Sequence, residues 1–328
     1  MAYPLTLRRL RQGPIVRGLV REVRVSVDQL MQPLFVVEGL RAPEQVPGLT
    51  GVHRETEASL LKSIEADLKK GVRSFLLFGV PGKKSSRAFS PEFTARQIAA
   101  IKRAFGEDLF LAVDVCLCSS TTHGQCGILN DAEDHVENGA TVEALAHAAR
   151  SFAESGADCV APSDMMDGRV RAIREALRDV RGDRTLLMSY AAKFHSKFYG
   201  PFRAAADSAP KGGALKDRAT YQIDPARPRD AFLSAARDAQ EGADILMVKP
   251  GMAYLDMLFR LSRKIRQPWA VYEVSGEFAA IELMAQQGLI SGPQAHVEAW
   301  TAFARAGAQI IITYGARSAR EWLKQSET

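Results

Sequence analysis

A chain of 328 residues with 46% hydrophobic and 25% charged residues has the composition of an ordinary globular protein, as one large domain or two small ones, and not of a disordered or fibrous one. The formal charge of +5 is too small to argue by itself for nucleic acid or a membrane surface. The longest apolar runs, such as Ile310 to Ile312, fall far short of a membrane span.

The chain opens on a basic stretch. Arg8, Arg9, Arg11, Arg17, Arg21 and Arg24 face a single acid, Glu22, before Asp28. No aromatic residue interleaves with them after Tyr3, so residues 1–30 read as an N-terminal arm that docks on protein rather than on nucleic acid. The arginines and Pro14 break up any signal-peptide pattern, and the four cysteines are therefore expected to be reduced thiols in a cytoplasmic protein.

From there a phrase recurs: a helical pattern ends in Gly-Ala or Gly-Val, and a short apolar run comes next. It occurs at Gly71-Val72, Gly156-Ala157, Gly242-Ala243 and Gly307-Ala308. Glycine suits the left-handed residue that ends a helix, and the run behind it reads as a buried parallel strand. Strands are predicted near Leu34–Glu38, Ser74–Val80, Leu109–Leu117, Cys159–Ser163, Thr185–Tyr190, Ile245–Lys249, Ala270–Val274 and Gln309–Tyr314. Amphipathic helices such as Thr141–Ser155 and Phe232–Glu241 separate them. Eight alternating units predict an α/β fold, a (β/α)8 TIM barrel over residues 31–328. A doubly wound sheet would normally show a Gly-rich phosphate loop after an early strand, and none is present. Two segments look inserted: about 125–138, and about 200–217, which would overhang the barrel mouth as a lid.

Nearly every predicted strand ends in reactive or hydrogen-bonding groups: Asp114 and Cys116, Ser163, Ser189-Tyr190, Lys249, Ser275, Tyr314. A barrel gathers those ends on one face, where its active site lies.

The run DVCLCSSTTHGQCG holds Cys116, Cys118 and Cys126. In an extended strand, residues i and i+2 share a side, so two sulfurs aim together and the loop returns the third. Three thiolates at about 2.3 Å make a roughly tetrahedral zinc site with one corner open. His123 is either a fourth ligand or a group behind the ligands. A redox disulfide is the competing reading. Cys159, alone in an apolar strand, reads as a small buried residue.

Lys249 ends the run ILMVK, so its stem must emerge from the barrel core. Lys193 sits just past its own predicted strand, with Lys197 competing for the same role. In water, with a pKa of about 10.4, only about 4 lysines in 10,000 are uncharged at pH 7. Burial and a neighbouring ammonium both lower that pKa, which makes the amine a nucleophile toward a carbonyl carbon. Lys69, Lys70, Lys83 and Lys84 fit the plainer reading of solvated surface cations.

The segments DVCLCSSTTHGQCG, VAPSDMMDGRV, SYAAKFHSKFYGPFRAAADS, YQIDPARP, MVKPGMAYLD, YEVSGEF and IIITYGA, in that order, resemble the porphobilinogen synthase (5-aminolevulinate dehydratase) family. The resemblance implies condensation of two 5-aminolevulinate molecules to porphobilinogen with loss of two waters, in tetrapyrrole (heme) biosynthesis. It also implies a barrel whose arm embraces a neighbour, usually in a homo-octamer. Lys249 matches the lysine that forms the Schiff base with the first substrate, and Lys193 rather than Lys197 matches the second lysine. Ser275 and Tyr314 match the groups on the first carboxylate; Arg203, Arg218 and Gln222 match lid residues on the second, which sets the lid at about 200–222. Asp114 and Ser163 match polar groups lining the site. Cys116, Cys118 and Cys126 match the ligands of a catalytic Zn2+.

There are departures. Gln125 stands where the zinc branch often has histidine. Ser234 stands where many bacterial members carry a glutamate for an allosteric Mg2+, which puts that site in doubt here while leaving Mg2+ possible. The stretch between Arg203 and Arg218 is a few residues longer than usual. The rival enzyme, a class I aldolase, leaves the thiols and second lysine unused; the rival of another class is a non-catalytic zinc-binding assembly protein.

Overall fold

A computed structural model describes residues 7–326; residues 1–6 of the expected arm, with Tyr3, and the terminal Glu327 and Thr328 lie outside the described residues. Eight parallel strands succeed one another around a ring. They are β1 (Leu30–Val37), β2 (Ser74–Val80), β3 (Phe110–Val115), β4 (Cys159–Pro162), β5 (Leu186–Lys193), β6 (Ile245–Lys249), β7 (Trp269–Tyr272) and β8 (Ile310–Ile312). Each pairs with the next, and β8 closes on β1 through Leu30 opposite Ile311 and Met31 opposite Ile312. The expected barrel is present. A short hairpin, Glu44–Gln45 with His53–Glu55, extends from β1.

The longer helices are α1 (Glu57–Lys69), α2 (Glu92–Phe105), α3 (Asn138–Glu154), α4 (Arg169–Ala176), α5 (Pro228–Gln240), α6 (Leu255–Lys264), α7 (Ser275–Gln286) and α8 (Gly292–Ala306). The glycines of the recurring turn all take positive φ, from +96° at Gly71 to +112° at Gly307. That conformation is cheap only without a Cβ, which explains the repeated phrase.

Strand parity divides the apolar residues into two cores. Met31, Phe35, Leu76, Ala112, Met247 and Ala270 fill the barrel interior. Leu34, Leu77, Val113, Leu246 and Val271, at alternate positions, pack outward against the helices. This period of two decides which polar residues at the strand ends face the mouth. In β6, Ile245 and Met247 point inward, so Lys249 does too.

β5 departs from simple alternation. Ser189 pairs with Leu246 but Ala192 with Val248, so β5 carries one extra residue. Such a bulge re-aims the residues beyond it. Met188 and Tyr190 face inward, and uninterrupted alternation would turn Lys193 outward; after the bulge it lies opposite Lys249. The strand therefore extends three residues beyond its predicted end at Tyr190, with Lys193 as its last residue.

Residues 7–29 hold a 3-10 turn, Leu7–Arg11, and a short helix, Pro14–Leu19, neither with a buried residue. Only at Val25 and Val27 does this stretch pack against the outer core. Among the described residues no helix is long and apolar enough to cross a membrane.

Candidate active site at the barrel mouth

Lys193 and Lys249 are partners across β5 and β6. They are 5% and 3% exposed, whereas Lys197 is exposed, so burial separates the two competitors on β5 and its loop. Both ammonium nitrogens approach the same ring, that of Tyr190, at 5.6 Å and 5.1 Å from its centroid. The Lys249 nitrogen lies 4.0 Å from the centroid of Tyr272 and 4.8 Å from that of Phe202. Lys193 donates a short hydrogen bond to the carbonyl of Ser163.

Burial is the largest influence on Lys249, and the Lys193 charge adds to it; together they bring its pKa down to about 7, with Asp114 pulling the other way. Burial raises the Asp114 carboxyl to about 6, opposed by the positive charge of Lys193 and a hydrogen bond from Ser163. One amine and one carboxyl in a single enclosure thus titrate close to neutrality, the condition for nucleophilic attack and proton transfer there. A buried oxygen of Asp114 and the hydroxyl of Tyr190 have no partner.

The sulfurs of Cys116, Cys118 and Cys126 all lie within 4.8 Å of one another, the one such group of potential metal ligands among the described residues. The expected reason for their convergence needs correcting. β3 stops at Val115, so Cys116 and Cys118 lie past the strand in a turn, with the Cys118 N–H directed at the Cys116 sulfur at 3.5 Å. Hydrogen bonds from Cys116 and Cys118 hold the Cys126 thiol well below the ordinary range against the cost of burial, helped by the charges of Arg218 and Lys193. Cys126 is thus favoured as the anion while the thiols of Cys116 and Cys118 are pushed up, and three converging soft donors fit a metal ion. His123 is not in the group: its Nδ1 accepts the N–H of Gln125 at 3.1 Å, and its Nε2 is buried without a partner. Cys159 faces the barrel core alone, and burial pushes its thiol up, as its apolar strand implies.

The segment 200–222 contributes the remaining groups. Phe202, whose ring adjoins Lys249, donates its N–H to the Ser275 hydroxyl at 3.0 Å. Burial lowers the Arg203 pKa, and the facing charge of Arg218 lowers it further. Arg218 is buried and donates to the carbonyls of Gly124 and Ser208, at 2.8 Å and 2.6 Å. Gln222 is 3% exposed, and neither its amide nitrogen nor its oxygen has a partner. Guanidinium and amide groups of these kinds are suited to pairing with an anion. Tyr314 lies deeper, its hydroxyl 3.3 Å from that of Tyr272. Lys84 is not the solvated cation expected: it is mostly buried and pairs with Asp207 of this segment at 2.6 Å.

The sequence profile described as Delta-aminolevulinic acid dehydratase matches residues 5–322. The chain belongs to that family. A delta-aminolevulinic acid dehydratase of Synechocystis sp. is 41% identical over 323 residues, covering 97% of this chain and 98% of that one. One from Bacillus subtilis is also 41% identical over 323 residues, with the same coverage. The crystal structure of the Toxoplasma gondii ME49 enzyme, in complex with its reaction product porphobilinogen, superposes with a TM-score of 0.92 at 40% identity, over 98% of this chain and 91% of that one. Membership in the dehydratase family bears out the resemblance carried by the seven motifs.

Two features of this dehydratase lie outside what the motifs singled out. One is the aromatic enclosure of Lys249, built from Tyr190, Tyr272 and Phe202. The other is Glu277, whose buried carboxylate accepts N–H groups from Gly251 (3.2 Å), Met252 (2.7 Å) and Val274 (2.9 Å). It ties the turn after Lys249 to the start of α7, whose first residue is Ser275. Ser234 lies apart on α5, in a surface hollow of about 330 Å³ with Asp167, Asp230 and Arg237. There the Arg237 guanidinium pairs with Asp167 and Asp238.

Proposed function

We propose that this dehydratase condenses two molecules of 5-aminolevulinate to porphobilinogen through imines on Lys249 and Lys193. The observation that carries the reading is the cross-strand pairing of two buried lysines. Each amine adds to the ketone carbon of one substrate and expels water. The two waters lost overall are those released as the imines form. Each imine acidifies the adjacent carbon, and both lysines leave as amines when the carbon–carbon and carbon–nitrogen bonds of the product close. Holding both substrates covalently replaces an unfavourable encounter of two identical molecules.

Asp114, poised near its midpoint, moves protons at the carbon next to an imine. Ser163 fixes the Lys193 amine through its carbonyl. Ser275 and Tyr314 hold the first substrate's carboxylate; Arg203, Arg218 and Gln222, on a lid of about 200–222, hold the second. The thiols fit zinc, which when bound supplies Lewis acidity for the second substrate. No Mg2+ enters the scheme. The setting is tetrapyrrole biosynthesis in the cytoplasm, in a homo-oligomer, an octamer, assembled through arms of residues 1–30.

The expected outcome is conversion of 5-aminolevulinate to a pyrrole that colours with an aldehyde dye, abolished by Lys249→Ala and by chelation of zinc. A protein that binds zinc tightly but never consumes 5-aminolevulinate contradicts this function. Activity that survives thorough chelation would return the cysteines to a structural role.

A further inference from the structure

The segment 200–222 is seated on the loop that carries the thiols, and several hydrogen bonds cross the seam between them. Gln125 is 1% exposed; its amide nitrogen donates to the carbonyl of Leu215 at 3.1 Å, and its amide oxygen accepts the hydroxyl of Tyr221 at 2.7 Å. The same Tyr221 oxygen accepts the N–H of Cys126 at 3.1 Å. Alongside, Lys211 N–H donates to the carbonyl of His123 at 2.9 Å. Gly124, at φ +72°, lies so close that a Cβ there would come within 2.2 Å of the Ala209 carbonyl oxygen.

Position in the chain gives these bonds their consequence. Gln125 precedes the thiol residue Cys126, and Tyr221 precedes Gln222 and lies three residues after Arg218. A displacement of Cys126 is therefore passed through one hydroxyl to two groups proposed to bind the second carboxylate.

We propose that Gln125 and Tyr221 form a latch that couples closure of the lid to the state of the thiol loop. It rests on the reading of 200–222 as a lid over the second substrate. A metal ion at the three cysteines fixes the loop shape that the latch grips, so binding the ion favours the closed lid. By linkage, the closed lid tightens the ion by the same factor. Gln125 is a positioning residue, since it touches the lid and not the reacting atoms.

The test is hydrogen exchange in the full-length protein at pH 7, read on peptides covering 200–222, with zinc and after chelation. Losing the two Gln125 hydrogen bonds is expected to raise lid exchange about tenfold in zinc-loaded Gln125→Ala. Tyr221→Phe, which keeps the ring, should do the same, while peptides from the barrel strands stay protected. Chelation should loosen the native lid and add little in either variant, and both variants should bind zinc more weakly. Lid exchange in Gln125→Ala equal to native, or a native lid indifferent to chelation, overturns the latch. Borohydride trapping of 5-aminolevulinate on Lys249 is measured in the same samples and should survive in both variants. Its loss from the native protein would overturn the functional reading, while exchange, which needs no turnover, would still judge the latch.

Discussion

Lys249 is where charge decides the proposed chemistry. Its pKa, brought down to about 7 by burial and by Lys193, makes the fraction of free amine climb through neutrality. The rate of imine formation with 5-aminolevulinate, measured by trapping, is expected to rise between about pH 6 and 8 with a midpoint near 7. Lys193→Met removes the second ammonium and should move that midpoint upward; an unmoved midpoint would show that Lys193 is not the neighbour that matters. The same depression affects stability. Between pH 7 and about 10.4 the unfolded chain binds a proton at this residue that the folded chain does not, so the group's contribution rises with pH across that window and is unfavourable below it. Lys249→Met should therefore be inactive yet more stable at pH 7, by on the order of 2 kcal/mol, read from denaturant midpoints.

Strands and turns bring these residues together, and they differ in how far the sequence reveals them. β6 is legible because ILMVK alternates without interruption, so Lys249 inherits its inward direction from Ile245 and Met247. β5 is not, because one bulged residue between Ser189 and Ala192 reverses the parity, and nothing in the residue types of SYAAK fixes where an extra residue is absorbed. The thiol set is legible as residues but not as geometry, since a turn beyond β3, rather than the strand, aligns the sulfurs. The enclosure around Lys249 is hidden because Tyr272 is distant in sequence from Tyr190 and Phe202, and only barrel closure and the turn of the segment after β5 bring the three rings together. Between β7, β8 and α8 lies a second buried network: Glu273 accepts from Trp300 and Thr313 and pairs with His296, whose other nitrogen meets Glu282. Burial alone would lower the His296 pKa, but the two carboxylates outweigh it and raise it to about 9. Because the folded value is raised, the stabilisation is complete below about pH 6.5 and fades as pH climbs through 9. His296→Ala should cost about 3–5 kcal/mol near pH 6, with the difference from native narrowing above pH 9 in thermal melts. A constant difference would show that the imidazole is not charged.

At the scale of the whole molecule, the stretch Leu7–Leu19 ahead of β1 buries none of its residues in its two helical turns. Leu7, Leu10, Ile15 and Leu19 are all half or more exposed, and so are Leu283 and Leu289 beyond the barrel. Apolar surface of this kind marks an association site, in keeping with the proposed arm. Removing residues 1–29 is expected to leave a folded barrel of smaller oligomeric size by light scattering; an unchanged mass would detach the arm from assembly. The central claim, that Lys249 reaches its substrate as an uncharged amine, has a direct measurement. Labelled 5-aminolevulinate is reduced onto the protein with borohydride at pH 7, and the labelled peptide is mapped. The expected result is label on Lys249, joined by Lys193 as substrate is raised. Turnover to porphobilinogen with Lys249 unlabelled would contradict it.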